Sequence, residues 1–190
     1  MLFIRNSNET FNRSLKELKK NSYENINEKD KKGRTILHYA VRESGPKTVR
    51  LLIEKGADIN SADVGGYVPM HLAVMGKQLK NVKELINSGA NVNVVERNGK
   101  CAPLHFACMI GEVEIVKELI KAEAKTDQAD KSGKIPADHA RNNKEIMEVL
   151  ESVKIANRQE EFLEKVTVVS ERIAADMILA KEGLLEVDEE

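Results

Sequence analysis

Four glycines, Gly33, Gly66, Gly99 and Gly133, stand 33, 33 and 34 residues apart. His38, His71 and His105 keep the same register, with steps of 33 and 34, and so do Ala40, Ala73 and Ala107. A fixed period of this length marks a stacked-repeat architecture, in which each unit buries its apolar face only against its neighbours. The one slip in the period falls between Gly99 and His105, and Cys101 is the expected inserted residue.

Each unit reads as turn, helix, helix. In Asp30-x-x-Gly33 and Asp63-x-x-Gly66 the aspartate bonds its own backbone and the glycine takes positive φ. The apolar run Thr35–Val41 follows, with Thr35 as N-cap. A break comes at Ser44-Gly45-Pro46 in the first unit and at Gly111 in the third. The second helix then places Val49, Leu52 and Ile53, or Ile115, Val116, Leu119 and Ile120, on one face. Gly56 and Gly89 end it.

These residues resemble the ankyrin repeat, whose pattern is roughly D-x-x-G-x-T-P-L-H-x-A with a later G-A-D-V-N. The matches are GRTILHYA at 33–40 with GADIN at 56–60, and GYVPMHLA at 66–73 with GANVN at 89–93. The third unit has GKCAPLHFA at 99–107 and a degraded ending, Glu123 to Asp127. The fourth has GKIPADHA at 133–140, with Asp138 in the histidine's place and an expected shortened second helix, which suits a C-terminal cap. Ile26-Asn27 precedes Ile59-Asn60 by 33 residues, so Leu15 to Asn27 reads as an N-terminal capping half-repeat. The resemblance covers roughly residues 12–152 and implies an all-α ankyrin-repeat solenoid with a C-terminal helical extension. The expected organisation is a lead and capping half-repeat at 1–29, repeats at 30–62, 63–95 and 96–129, and a capping repeat at 130–152. An amphipathic helical segment at 153–185 and an acidic tail at 186–190 complete it.

Composition narrows the function. Thirty basic against 31 acidic residues leave a net charge of −1, which argues against a nucleic-acid or membrane-surface protein. The start, Met1-Leu2-Phe3-Ile4-Arg5, lacks a signal-peptide pattern. The longest uncharged stretch, Val64 to Gly76, is too short to span a bilayer and is broken by Gly65, Gly66 and Pro69. The expected setting is cytoplasmic, and two cysteines fit a reducing compartment.

Catalytic and metal chemistry finds no support. His38, His71 and His105 occupy equivalent places one repeat apart, where the resemblance implies hydrogen bonds that tie adjacent turns together. Asp138 and His139 are sequence neighbours, so on a helix their side chains point different ways. Cys101 and Cys108 lack zinc-like companions; Cys108 reads as buried packing and Cys101 as an exposed turn residue. No P-loop string occurs. Neither enzymatic activity nor a cofactor, metal or small-molecule substrate is expected. Asn60 and Asn93 fall where the resemblance implies substrates of animal asparaginyl hydroxylases, and the plainer expectation is that they stabilise their turns.

The resemblance places the binding surface on the turn tips and the exposed side of the first helices, a concave face. The residues expected there are Lys31, Lys32, Arg34 and Arg42, then Tyr67 and Met75, then Arg97, Lys100, Met109 and Ile110, and finally Lys131 and Lys134. Val64, Asn142 and Asn143 lie in the same region. The tips are basic and the centre is apolar, which suits a protein segment with an apolar anchor flanked by Asp or Glu.

Beyond the repeats, Phe162, Val166, Val169, Ile173, Met177, Ala180 and Leu184 recur at steps of four and three, one stripe of a helix. The stripe folds back on the repeats, pairs with a second copy or binds another protein. Folding back and a monomer are favoured, with self-association through 153–185 as the next choice. The β-branched run Val166 to Val169 carries a competing strand tendency. The acidic tail reads as solvated, with a self-inhibitory contact to the basic tips as the other choice. The expected function is a non-catalytic protein-interaction module, an adaptor or a masking inhibitor. The other reading is an effector of an intracellular bacterium, delivered into the host cytoplasm.

Overall fold

The computed structural model describes residues 25–140 and 143–181. The lead, most of the expected capping half-repeat, Asn142, Leu184 and the acidic tail lie outside the described residues. Eight helices and no strand occur among those described. They are α1 (Ile36–Glu43), α2 (Pro46–Glu54), α3 (Pro69–Met75), α4 (Leu79–Asn87), α5 (Pro103–Ile110), α6 (Val113–Lys121), α7 (Pro136–His139) and α8 (Lys144–Lys181). The chain divides into two compact units, with the boundary between Glu148 and Val149.

In the first unit the helices form two rows. α1, α3, α5 and α7 pack side by side, and α2, α4 and α6 form the row behind. Ile36, Leu37, Leu52, Met70, Leu85, Leu104, Ile115 and Leu119 are fully buried. α1 to α6 are each only about two turns long and α7 about one, too short to persist alone in water, so this burial is what holds them. Proline stands in the first turn of α2, α3, α5 and α7, where its missing N–H costs nothing and its fixed φ favours the helix.

The turns that begin the units are joined by a backbone ladder. Val64 N–H donates to the Lys32 carbonyl (2.9 Å), Arg97 N–H to Gly65 (2.8 Å) and Lys131 N–H to Gly99 (2.7 Å). Gly66 shows why glycine is needed at these tips. Its φ is +84°, and a Cβ there would lie 2.8 Å from the Arg97 nitrogen of the next tip.

The extra residue is Asn98, between Arg97 and Gly99, not Cys101. In three turns the acidic residue's N–H donates to the carbonyl four residues on: Asp30 to Arg34, Asp63 to Tyr67 and Asp130 to Lys134. In the third turn Glu96 N–H reaches the Cys101 carbonyl, five residues on, so Cys101 fills the place of Arg34 and Tyr67. Lys100 takes the left-handed conformation, φ 54°, that Gly33, Gly66 and Gly133 take elsewhere. The larger turn carries a longer acid. The Glu96 carboxylate accepts from the N–H groups of Asn98, Gly99 and Cys101, as Asp30 accepts from Lys32 and Arg34. Cys101 is consequently buried rather than exposed.

The fourth unit also differs from expectation. Its first helix is the short one, α7 with four residues, while its second continues without a break as α8. No glycine or proline occurs between Lys144 and Lys181, and the helix runs unbroken over that span. Ile146 is fully buried in the first unit. In the second unit the run Val166 to Val169 is helical. Ile155, Phe162, Leu163, Val166, Val168, Val169, Ile173 and Met177 are exposed there. No helix among the described residues is long and apolar enough to cross a membrane.

Candidate partner-binding face

The conserved spacing of the histidines has a structural use, seen one atom at a time. The N–H of Thr35, the residue before α1, donates to His38 Nδ1 (3.1 Å), and Val68 and Ala102 do the same with His71 (3.2 Å) and His105 (3.1 Å). The ring thus takes the part a Glu or Gln plays in a capping box. An accepting Nδ1 places the proton on Nε2. That atom donates to the next unit, from His38 to the Tyr67 carbonyl and from His71 to the Cys101 carbonyl, both at 3.1 Å. Burial lowers the pKa of all three rings and keeps them neutral.

The fourth unit replaces this device. Asp138 Oδ2 accepts from Ile135 N–H (3.0 Å), taking the histidine's capping role. His139 meets Asp130 at 2.9 Å instead of its neighbour Asp138. His105 Nε2 has no hydrogen-bond partner among the described residues, and its ring meets His139 edge-on at 5.8 Å. The Asp130–His139 pair repeats the Asp30–Tyr39 hydrogen bond of the first unit at the same nine-residue spacing. It is therefore a turn-to-helix brace. Burial raises the Tyr39 hydroxyl to about 12, with the Asp30 bond adding to the effect. Burial likewise pushes the Cys108 thiol to about 12, so it stays protonated and unreactive near neutral pH.

The asparagines form a second ladder. Asn27 Nδ2 donates to the Gly56 carbonyl (3.0 Å) while its Oδ1 accepts from Asp58 N–H (2.7 Å). Asn60 Oδ1 accepts from Asn91 N–H (2.9 Å). Asn93 bridges the Glu123 carbonyl and the Lys125 N–H at 3.2 and 2.8 Å.

With those positions committed to structure, the remaining side chains define the face. Met75 and Met109 hold equivalent places at the ends of α3 and α5 and are 45% and 43% exposed. Met109, half-buried Ile110 and Lys134 line a pocket of about 440 Å³, together with Cys108, Gly111, Asp138, His139, Ala140 and Asn143. Tyr67 is half-buried and touches Phe106 of the next unit, ring centres 6.1 Å apart. Lys31, Lys32, Arg42, Arg97, Lys100, Lys131 and Lys134 are exposed, with no ion pair among the described residues. Arg34 differs: its Nε is 3.0 Å from Asp63 Oδ2, so it braces two turns together.

The face expected from the sequence omits Phe106 and His139. Their signal was present, since both occupy the variable position after the histidine, as Tyr39 and Leu72 do. No group of three or more His, Cys, Asp or Glu side chains suited to a metal occurs among the described residues.

A search of curated proteins finds no significant match. The family described as "Ankyrin repeats (3 copies)" matches residues 1–63 and 70–158. The two matched spans leave out only residues 64–69 of the stretch 1–158, and the chain belongs to the ankyrin-repeat family.

Proposed function

We propose that the chain is a non-catalytic protein-interaction module that acts as an adaptor or by masking its partner. It binds a protein segment with an apolar anchor flanked by Asp or Glu, on the face built from the turn tips and first helices. The observation that carries this reading is the pair of exposed methionines, Met75 and Met109, beside the pocket at Ile110 and Lys134. An exposed apolar cluster rimmed by polar residues is an interaction site by its physics, and methionine adapts to varied partners. The unpaired cations of the neighbouring tips steer acidic segments and reject basic ones. Two buried free thiols suit a cytoplasmic setting, where they stay reduced.

The test is selection from a displayed peptide library, followed by affinity measurement on the winners. Winning peptides are expected to carry an aliphatic or aromatic residue beside Asp or Glu. Met109→Glu is expected to weaken them by tenfold or more, about 1.4 kcal/mol, without loss of helicity. Affinity should fall as salt rises. Peptides without acidic residues, or binding unchanged by both Met75→Glu and Met109→Glu, would overturn the reading.

A further inference from the structure

Three consecutive turn tips present a cation, an apolar side chain and a cation at one equivalent position. Lys31, Val64 and Arg97 stand 33 residues apart and are all exposed, Val64 by 64%. Val64 is the apolar exception. Its Cγ2 lies 3.3 Å from where a Cβ at Gly33 would be, and Arg97 Cγ lies 2.8 Å from a Cβ placed at Gly66. Each of these side chains therefore leans over the glycine of the preceding tip, and the row is regular. The Tyr67 ring lies 2.9 Å from a Cβ placed at Gly65 and widens the apolar middle.

The acids of the same turns are bound into them. Asp30, Asp63 and Glu96 each accept from N–H groups of their own turn, and Asp63 also meets Arg34. Lys31 and Arg97 make no side-chain hydrogen bond or ion pair among the described residues.

The ladder fixes the step along the row. Val64 N–H donates to the Lys32 carbonyl and Arg97 N–H to the Gly65 carbonyl, while Asp63 N–H closes its own turn on the Tyr67 carbonyl. Each unit thus adds two strand-like spacings, roughly 9–10 Å. A polyproline II segment rises about 3.1 Å per residue with three residues per turn, so its residues i, i+3 and i+6 share one face at about 9.3 Å intervals. In a β-strand residues i and i+3 point to opposite faces, which does not fit the row. Asn98 widens the next step, toward Lys131, so the strict part of the row is the first three tips.

We propose that the row Lys31, Val64 and Arg97 reads a protein segment in the polyproline II conformation, with Asp or Glu, an apolar residue, and Asp or Glu at every third position. The proposal rests on the reading that this face binds an acidic protein segment, and it adds the segment's conformation and spacing. The cations meet the two acids, and Val64 with Tyr67 meets the apolar residue between them.

The experiment is fluorescence anisotropy of the full chain with labelled synthetic peptides. SEPSLPSES carries the matched spacing. It is expected to bind at least tenfold more tightly than SSPSPSELE, which has the same composition with the leucine and acids side by side. SEASLASES, with alanine for proline, is expected to bind more weakly, because it is less preorganised. Val64→Lys places at the second tip the residue that the first tip carries at the same position. It is expected to reverse the preference, so that SEPSEPSES outbinds SEPSLPSES. Equal binding of SEPSLPSES and SSPSPSELE would overturn the proposal, as would an unreversed preference in Val64→Lys. Alanine peptides that bind at least as tightly as proline ones would overturn the conformation. A nine-residue oligouridylate that outbinds SEPSLPSES would overturn the choice of a protein segment. Absence of binding by SEPSLPSES at about 1 mM would also overturn it. If library-selected peptides sensitive to Met109→Glu still bind, the interaction-module reading stands and only the tip row fails. If they do not bind either, both readings fail.

Discussion

Lys100 holds a conformation that glycine holds in the other three turns. Its φ of 54° costs an L-residue roughly 1 kcal/mol relative to the right-handed region. The sequence hides this, because Gly99 continues the glycine period by eye while its neighbour takes the strained place. What made the slip legible was the histidine spacing. What left its position unreadable was the coupled change from aspartate to Glu96, whose longer arm closes the larger turn. Lys100→Gly is therefore expected to stabilise the chain by about 0.5–1 kcal/mol, the relief of strain offset by the entropy glycine adds to the unfolded chain. The reading is a melting temperature raised by about 2–4 °C. Gly66→Ala should do the reverse, because its Cβ meets the backbone of the next tip at 2.8 Å. A lower melting temperature for Lys100→Gly would show that the lysine side chain contributes contacts worth more than the strain.

At the scale of the helix, the three histidines make each first helix depend on a neutral ring. Burial depresses their pKa below 6.5, outweighing the turn carboxylates of Asp63 and Glu96 that pull the other way. The unfolded chain then binds more protons than the folded one as pH falls below about 6.5. Stability from these groups is complete above that pH and is lost as the solution is acidified toward the folded-state values. Protonation at Nδ1 also removes the acceptor for the Thr35, Val68 and Ala102 N–H groups. Urea midpoints are expected to be flat from pH 8 to 7 and to fall from pH 6.5 to 5, with unchanged m-value. The lowered carboxylates act in a separate and more acidic window. Arg50 holds Glu84 down, and the Lys134 N–H holds Asp130 down, so their contribution disappears only below the usual carboxylate range. A midpoint constant from pH 7 to 5 would mean the rings accept protons without loss of packing. The resemblance to ankyrin repeats implied a hydrogen-bonded histidine here. It gave no sign of the Tyr67 and Cys101 carbonyls, because those lie in the most variable part of the turn.

The repeats are coupled only to their neighbours, so stability is a chain of joints rather than one property of the whole. Besides the turn ladder, the joint between the first two units includes Asn81, a fully buried residue of α4 whose Nδ2 donates to the Val41 carbonyl (2.9 Å) and the Ser44 carbonyl (2.8 Å). These are carbonyls at the C-terminal end of α1, which have no partner within the helix. Beside it Arg50 and Glu84 form a two-point ion pair at 2.8 and 2.7 Å, with the arginine largely exposed. An exposed pair of this kind contributes little, so Asn81 is the stronger link. The sequence showed Asn81 as one polar residue in an amphipathic helix, because its partners lie 37 and 40 residues away. Asn81→Ala is expected to cost about 1–3 kcal/mol by leaving a buried and a part-buried carbonyl unsatisfied. The loss should not be shared evenly. Amide exchange in α1 and α2 is expected to accelerate by tenfold or more, while α5 and α6, two joints away, change little. Equal acceleration across α1 to α6 would instead make the repeats a single cooperative unit, with Asn81 only one contact among many.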